Sequence, residues 1–245
     1  MLPKLPYFLS KRLDNYLKQR VLSRGGLVRS DVMGHDMILD IRAGHGWMLS
    51  KGDQYEAQTT KYIVDSVKEG SVVVDVGASM GYYTLLLARL VGPRGRVYAF
   101  EPIPRDFAIL RRNVHANGYR NVVLENKAVS DTDGIARFYI SPESYGMSSL
   151  CPLTNPESII QVEVVCLDNY IHEDVDLIKV DVEGAEHLVV KGSKELIQKS
   201  PDPHLIVEFV PGRFGFDANQ LFSELEGWKY RQLDLNLLFW KDGEA

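Results

Sequence analysis

An α/β fold built on a mostly parallel sheet, with helices covering both faces, is predicted by three observations. From Ser71 onward apolar runs alternate with segments of helical period, which is the sequence form of such a sheet. Val72 to Val76 reads as a buried strand that ends in a glycine turn and opens a helix. The chain has 245 residues, 45% of them hydrophobic, enough for one substantial core.

In order, the segments after the first strand are a helix from Tyr82 to Val91, a strand from Gly95 to Phe100, a helix from Asp106 to Asn117 and a strand from Asn121 to Asn126. The turn signal Asp131-Thr-Asp-Gly134 then precedes two period-two segments, Ile135 to Ile140 and Ile159 to Val165. They flank a Ser- and Pro-rich loop, Ser141 to Ser158. Asp176 to Val180 is a strand, Ala185 to Lys191 leads into a helix ending near Lys199, and His204 to Val210 is the next strand. Tyr230 to Asp234 and Leu237 to Lys241 form a closing pair. Upstream, Met37 to Ile41 and the Gly44-His-Gly turn predict a short hairpin, and a helix runs from about Gln54 to Val67. Residues 1–50 are thus an N-terminal extension and 51–245 the main domain.

Composition narrows the function. Lys+Arg 28 against Asp+Glu 33 gives a net charge of -5, so no global positive field holds a nucleic acid. The two cysteines, Cys151 and Cys166, supply neither a disulfide framework nor zinc-ligand spacing, and a cytoplasmic setting is expected. No apolar run is long enough for a transmembrane segment. Lys4, Lys11, Arg12, Lys18, Arg20 and Arg24 are opposed only by Asp14, while Leu5, Phe8, Leu9, Leu13, Tyr16, Leu17 and Val21 recur at helical spacing. This basic amphipathic helix is read as packing on the domain or on a second subunit of a homodimer. Peripheral contact of residues 1–24 with an anionic membrane is the alternative.

The chemistry concentrates at strand ends. In Val72-Val-Val-Asp75-Val-Gly77-Ala-Ser-Met-Gly81, Gly77 lets the backbone approach a ligand and Gly81 permits tight passage into the helix. Asp75 can bond the turn amides or a ligand amino group. The spacing differs from the Gly-x-Gly-x-x-Gly turn that aims amides at a pyrophosphate. Val97-Tyr-Ala-Phe-Glu101-Pro102 places an acid where it can accept both hydroxyls of a ribose. S-adenosylmethionine, a sulfonium cation with a ribose and no pyrophosphate, fits this pair of markers. Gly77, Ala78, Ser79, Gly81, Tyr82 and Tyr83, with Glu101 and Pro102, form the expected cofactor cradle. Asn126 could bond the adenine amino group and the Ala128 amide a ring nitrogen, whereas Lys127 reads equally well as an ordinary strand-end residue. Tyr55 and Glu56 would close over the methionine end, packing being a comparable role for Tyr55.

The fourth marker is Asp176-Leu-Ile-Lys179-Val-Asp181-Val-Glu183-Gly-Ala-Glu186. With Gly52-Asp-Gln-Tyr-Glu56 and Leu205-Ile-Val-Glu-Phe-Val-Pro211, it makes the chain resemble the FkbM family of methyltransferases over roughly residues 45 to 211. The resemblance implies the class I seven-stranded methyltransferase fold, S-adenosylmethionine as cofactor with S-adenosylhomocysteine as product, and O-methylation of a small organic acceptor, often a sugar, glycan or natural product. Lys179, in a buried strand, should pair with Asp181 or Glu208. Asp181 also counts in the cofactor-binding set and is the first candidate for the base that takes the acceptor proton, with Glu183 and His187 next. Positioning contributes roughly 7 to 11 kcal/mol, more than a base does. A divalent metal on Asp181, Glu183 and Glu208 is a second option, ranked below metal-free chemistry. The acceptor is expected to meet the Ser141 to Ser158 loop, through Tyr145, Gly146, Met147, Ser148 and Ser149, and the Pro211 to Asp217 loop, through Arg213, Phe214 and Phe216. A nucleic-acid or protein methyltransferase, a nucleotide-dependent oxidoreductase and a noncatalytic cofactor-binding scaffold are the rival readings.

Overall fold

The computed structural model describes residues 7–52, 55–141, 147–211 and 218–241. Upstream of the main sheet lie α1 (Tyr7–Leu22), β1 (Leu27–Val32), β2 (His35–Asp40), α2 (Gly44–Ser50) and α3 (Ala57–Ser66). The first half of the domain comprises β3 (Val72–Val76), α4 (Tyr82–Val91), β4 (Arg96–Phe100), α5 (Pro104–Ala116) and β5 (Val122–Glu125). An inserted small sheet follows, from β6 (Ala128–Val129), β7 (Gly134–Ile140) and β8 (Ser158–Val165). The second half comprises α6 (Leu167–Tyr170), β9 (Leu177–Val180), α7 (Glu186–Lys191), α8 (Lys194–Lys199), β10 (His204–Glu208), α9 (Ala218–Glu224), β11 (Lys229–Leu233) and β12 (Asn236–Trp240).

Seven strands form the central sheet in the order β11-β12-β10-β9-β3-β4-β5, parallel except where β12 runs against β10 and β11. This is the class I methyltransferase arrangement. Side chains on a strand point alternately to opposite faces, and both faces are covered. Val73, Val97, Ala99, Leu177 and Ile206 pack with α4 and the upstream hairpin. Val74, Val76, Phe100, Ile178, Val180 and Val207 pack on the other side with α7 and α8. From β3 the chain proceeds to β4 and β5 in one direction, and from β9 to β10 and β12 in the other. The crevice between such diverging halves, outside the carboxyl ends of the strands, is where open α/β sheets bind ligands.

Two expectations need correction. The hairpin turns at Met33 and Gly34, both at positive φ (53° and 79°), and pairs β1 with β2 in antiparallel register. Gly44-His-Gly does not turn it but opens α2. Met33 hides the turn because a two-residue hairpin loop normally advertises itself with Asn-Gly or Asp-Gly. The helix expected from Ala185 to Lys199 is broken into α7 and α8 at Gly192 and Ser193, since Gly192 abuts the backbone of Ser130, where an added Cβ would lie 2.1 Å from the carbonyl oxygen.

α1 occupies the expected amphipathic segment, with Tyr16 and Leu17 exposed. Among the described residues no helix is long and apolar enough to cross a membrane.

The hairpin is fastened to α5 by two asparagines one helical turn apart. Asn113 accepts from the Ile38 amide and donates to the Ile38 and Met80 carbonyls. Asn117 repeats the pattern on Asp36, accepting from its amide and donating to its carbonyl. A helical step of four residues and a strand step of two both advance about 6 to 7 Å, so the pair serves the free edge of β2 as another strand would. Asn113→Ala removes three hydrogen bonds and leaves the part-buried Ile38 amide unpaired, and should cost about 1–3 kcal/mol; urea unfolding checks this against Asn117→Ala, which is less buried and should cost less.

Candidate active site

Gly77 ends β3 at φ +83°, and a Cβ there would lie 1.8 Å from the carbonyl oxygen of Asp181. Only glycine permits this approach, which joins the turn after β3 to the loop after β9. The amides of Gly77 and Ala78 both donate to the Phe100 carbonyl, so the turn bends over the end of β4. Ser79, at φ 49°, then gives its amide to Glu101 Oε2 at 2.8 Å, while the Ile103 amide gives to Oε1 at 2.8 Å. The Glu101 carboxyl is therefore fixed by two backbone donors. Burial, with Asp106 close by, pushes it up to about 8 against the pull of those amides.

A cavity of about 710 Å³, part of it open to solvent, lies over these strand ends. Of the expected cofactor residues, Tyr55, Gly77, Ser79, Glu101, Pro102, Lys127, Ala128 and Asp181 line it, and of the expected base candidates Asp181 and Glu183 do. The small sheet contributes Phe138, with Ser148 and Leu150 beyond it. Ser79 keeps its buried hydroxyl without a hydrogen-bond partner among the described residues, as befits a group that meets a ligand. The cavity therefore suits S-adenosylmethionine: a glycine cradle at one end, a fixed carboxylate at the other and an uncommitted hydroxyl between them.

Other expected residues support the cavity from behind. Asp75 bonds neither turn amide nor cavity; it accepts from Thr84 Oγ1 at 2.6 Å beneath the turn, and burial raises it despite Lys179 and Thr84. Glu56 accepts from the Tyr83 hydroxyl at 2.6 Å and from Asn236 at 3.0 Å. Tyr82 shares a hydrogen bond with Thr60. Ala78 is buried behind the lining, and Gly81 passes Leu110, which a Cβ would meet at 2.7 Å. Asn126 is exposed, outside the lining, and donates its Nδ2 to the Glu101 and Pro102 carbonyls, so it also steadies the strand end. His187, on α7, is also outside the lining.

Lys179 pairs with Asp181 at 3.0 Å and sits 4.6 Å from the centre of the Tyr83 ring. Burial disfavours its charge, but Asp181, Glu56 and Asp75 outweigh this and raise it above the ordinary lysine value. Oxygens of Asp181, Glu183 and Glu208 come within 4.8 Å of one another, so the carboxylates named as a metal option do converge. Glu183 holds φ 59°, a strained position of the kind that clusters at functional sites. Glu186 braces this loop from below, accepting from the Val182 and Gly184 amides at 3.0–3.2 Å.

Two polar lining residues escaped the sequence reading, His45 and Asp106. Asp106 looked like an ordinary acid in a first helical turn, and His45 like part of a loop between glycines. Of the loops expected to meet the acceptor, Tyr145, Gly146, Arg213, Phe214 and Phe216 lie outside the described residues.

Residues 75–232 match the profile of a family described as Methyltransferase FkbM domain. Methyltransferase 1 of Beauveria bassiana is 28% identical over 190 residues, 68% of this chain and 76% of that protein. The 31-O-demethyl-FK506 methyltransferase FkbM of Streptomyces tacrolimicus is 36% identical over 114 residues, 45% of this chain and 42% of that one. The matched stretch thus spans under two thirds of the length of some curated relatives. Among solved structures, Trm5b from Pyrococcus abyssi superposes with a TM-score of 0.50 at 15% identity, over 88% of this chain and 55% of that chain, a likeness of fold.

Burial pushes the Glu186 carboxyl up to about 7, against the pull of the Gly184 amide. A carboxyl raised on folding binds protons more tightly in the folded state, so its stabilising share is present at low pH and fades as pH rises toward 7. Urea unfolding at pH 5 and pH 8 should show wild type losing more stability across this interval than Glu186→Gln.

Proposed function

Because the chain belongs to the FkbM methyltransferase family, we propose that this S-adenosylmethionine-dependent enzyme methylates a hydroxyl of a small uncharged acceptor, a sugar or a natural product. One observation carries the choice of acceptor. Asp181 and Glu183 line the cavity and Glu208 converges on them, and like charges so placed repel a phosphate or carboxylate acceptor. They accept hydrogen bonds readily from a sugar's hydroxyls.

S-adenosylmethionine, when bound, supplies a methyl group on a positively charged sulfur. The chain's own contribution is to hold both reactants. The Glu101 carboxyl meets the ribose hydroxyls, Gly77 and Ser79 take the backbone side, and Ile103 with Phe100 and Val129 offers apolar surface for a base. The hydroxyl proton goes to Asp181 or Glu183. One Asp181 oxygen is held by Lys179, which fixes the carboxylate's direction and leaves its other oxygen to serve the acceptor. Orientation of this kind outweighs the roughly 10²- to 10⁴-fold that a base adds.

Radiolabelled S-adenosylmethionine, offered with a panel of glycosides, polyketide alcohols, isoaspartyl peptides and a tRNA transcript, tests the acceptor class. Alkali-stable label in a glycoside or alcohol is the expected result; label in RNA, or in a base-labile methyl ester, would overturn it. The same assay after EDTA treatment should keep its rate to within about twofold, because Lys179 already offsets part of the carboxylate charge. Loss of rate with recovery on added magnesium would instead make the three carboxylates metal ligands.

A further inference from the structure

The small inserted sheet keeps one edge open. β7 pairs with β8 from Gly134↔Val164 to Ile140↔Ser158, and β6 lies on the far side of β8. On its other side β7 is covered only near its end, where the Tyr139 amide donates to the Ser149 carbonyl at 2.8 Å and the Ser149 amide donates back at 3.1 Å. Both backbone groups of Tyr139 thus point away from β8. Backbone direction alternates along an antiparallel strand, so Arg137 and Ile135 turn their amides and carbonyls to the same open side. Among the described residues nothing bonds them there. The chain beyond Ser149 leaves this edge, since the Cys151 thiol reaches the Gly184 carbonyl at 3.5 Å in the loop after β9.

The side chains on this edge are unusual for a surface left in water. Ile135 is 75% exposed, the most exposed large apolar residue among those described, and Ile159 on the same face of the sheet is 50% exposed. Folded proteins commonly blunt an open edge with proline or lysine. Gly134 to Phe138 contains neither.

We propose that β7 pairs with β7 of a second copy of this chain, antiparallel about a two-fold axis at Ile135, so that two small sheets become one of six strands. A two-fold contact must be self-complementary, and this register makes it so. An axis at Arg137 would set Ile135 of one copy in the place where Ser149 already pairs with Tyr139 of the other. An axis at Ile135 avoids Ser149. It also lays the two exposed isoleucines against each other as a cross-strand pair and brings the cationic Arg137 of each copy alongside the end of the other that carries Asp133. That carboxylate is held at the start of β7 by the Cys166 amide at 2.8 Å. Phe138, on the same strand, lines the cavity, so the shared sheet braces one wall of each site. The inference depends on neither the cofactor nor the acceptor.

Sedimentation equilibrium of the full chain, from about 1 to 100 μM, tests the contact. Wild type should show a monomer–dimer equilibrium, and Ile135→Lys should raise its dissociation constant at least about tenfold, because like charges directly opposite one another destabilise a strand pair. The register is tested separately by mild oxidation of cysteine variants. Ile135→Cys should crosslink into dimers beyond the wild-type level, since opposed Cα atoms about 5.5 Å apart lie within disulfide reach. Arg137→Cys should not, because its twin lies about 13 Å away along the strands. A monomeric wild type at every concentration would overturn the proposal, as would a dimer that Ile135→Lys leaves intact or equal crosslinking of the two cysteine variants. If Ile135→Lys fails to fold, Ile135→Gln carries the same comparison.

Discussion

The site depends on a contact that only glycine allows. Where the turn after β3 meets the loop after β9, Gly77 lies against the carbonyl of Asp181, and no side chain fits between them. The Asp181 amide donates to the Val76 carbonyl at 3.0 Å, extending the pairing of β3 and β9 by one step. The Gly77 and Ala78 amides meanwhile bind the end of β4, and Ser79 passes the connection on to Glu101. Three strand ends are thus tied by backbone hydrogen bonds, and the carboxyls of Asp181 and Glu101 acquire fixed positions at opposite ends of one cavity. Preorganisation of this kind is what a reaction governed by orientation requires.

Electrostatics then decides what the cavity accepts. Its carboxyls would be hard to keep together in a buried place without a counterweight, and Lys179 supplies one from within the sheet. Its ammonium bonds Asp181, lies near Asp75 and Glu56, and is covered by the Tyr83 ring. A buried ion pair of this sort contributes little net stability. Its consequence is directional: Asp181 is held facing the cavity while the acidic character of the wall persists. A wall of this kind favours a cation over an anion.

The parts of this arrangement that were legible in the sequence are those encoded locally. Each strand and the residue that ends it lie side by side in the chain, so Gly77, Glu101 and Asp181 announced themselves, and Lys179 did so by being charged within an apolar run. Asn126 was read only for its reach toward a ligand, whereas its Nδ2 also folds back on the carbonyls of Glu101 and Pro102. Asp75 misled in a similar way, since the hydroxyl it serves, on Thr84, lies nine residues on, inside α4. His45 carried no readable signal, because it reaches the cavity only when the hairpin docks on α5, and Asp106 looked like an ordinary acid in the first turn of that helix.

That docking makes the extension part of the site. Met37, Leu39 and Leu49 belong to the same core as Val73, Leu85 and Leu177, and the asparagine pair on α5 satisfies the edge of β2 that would otherwise be bare. Asp40, fully buried at the end of that strand, binds Arg42 and lies 3.4 Å from Arg105, which also bonds Asp106. A displacement of the hairpin would therefore be felt at Asp106 through Arg105 and at His45 through the turn of α2 that rests on Asp40. The match to the family begins at Asp75. The packing crosses that point without interruption, and it carries into the cavity two side chains, His45 and Tyr55, that lie outside the stretch matched to the family.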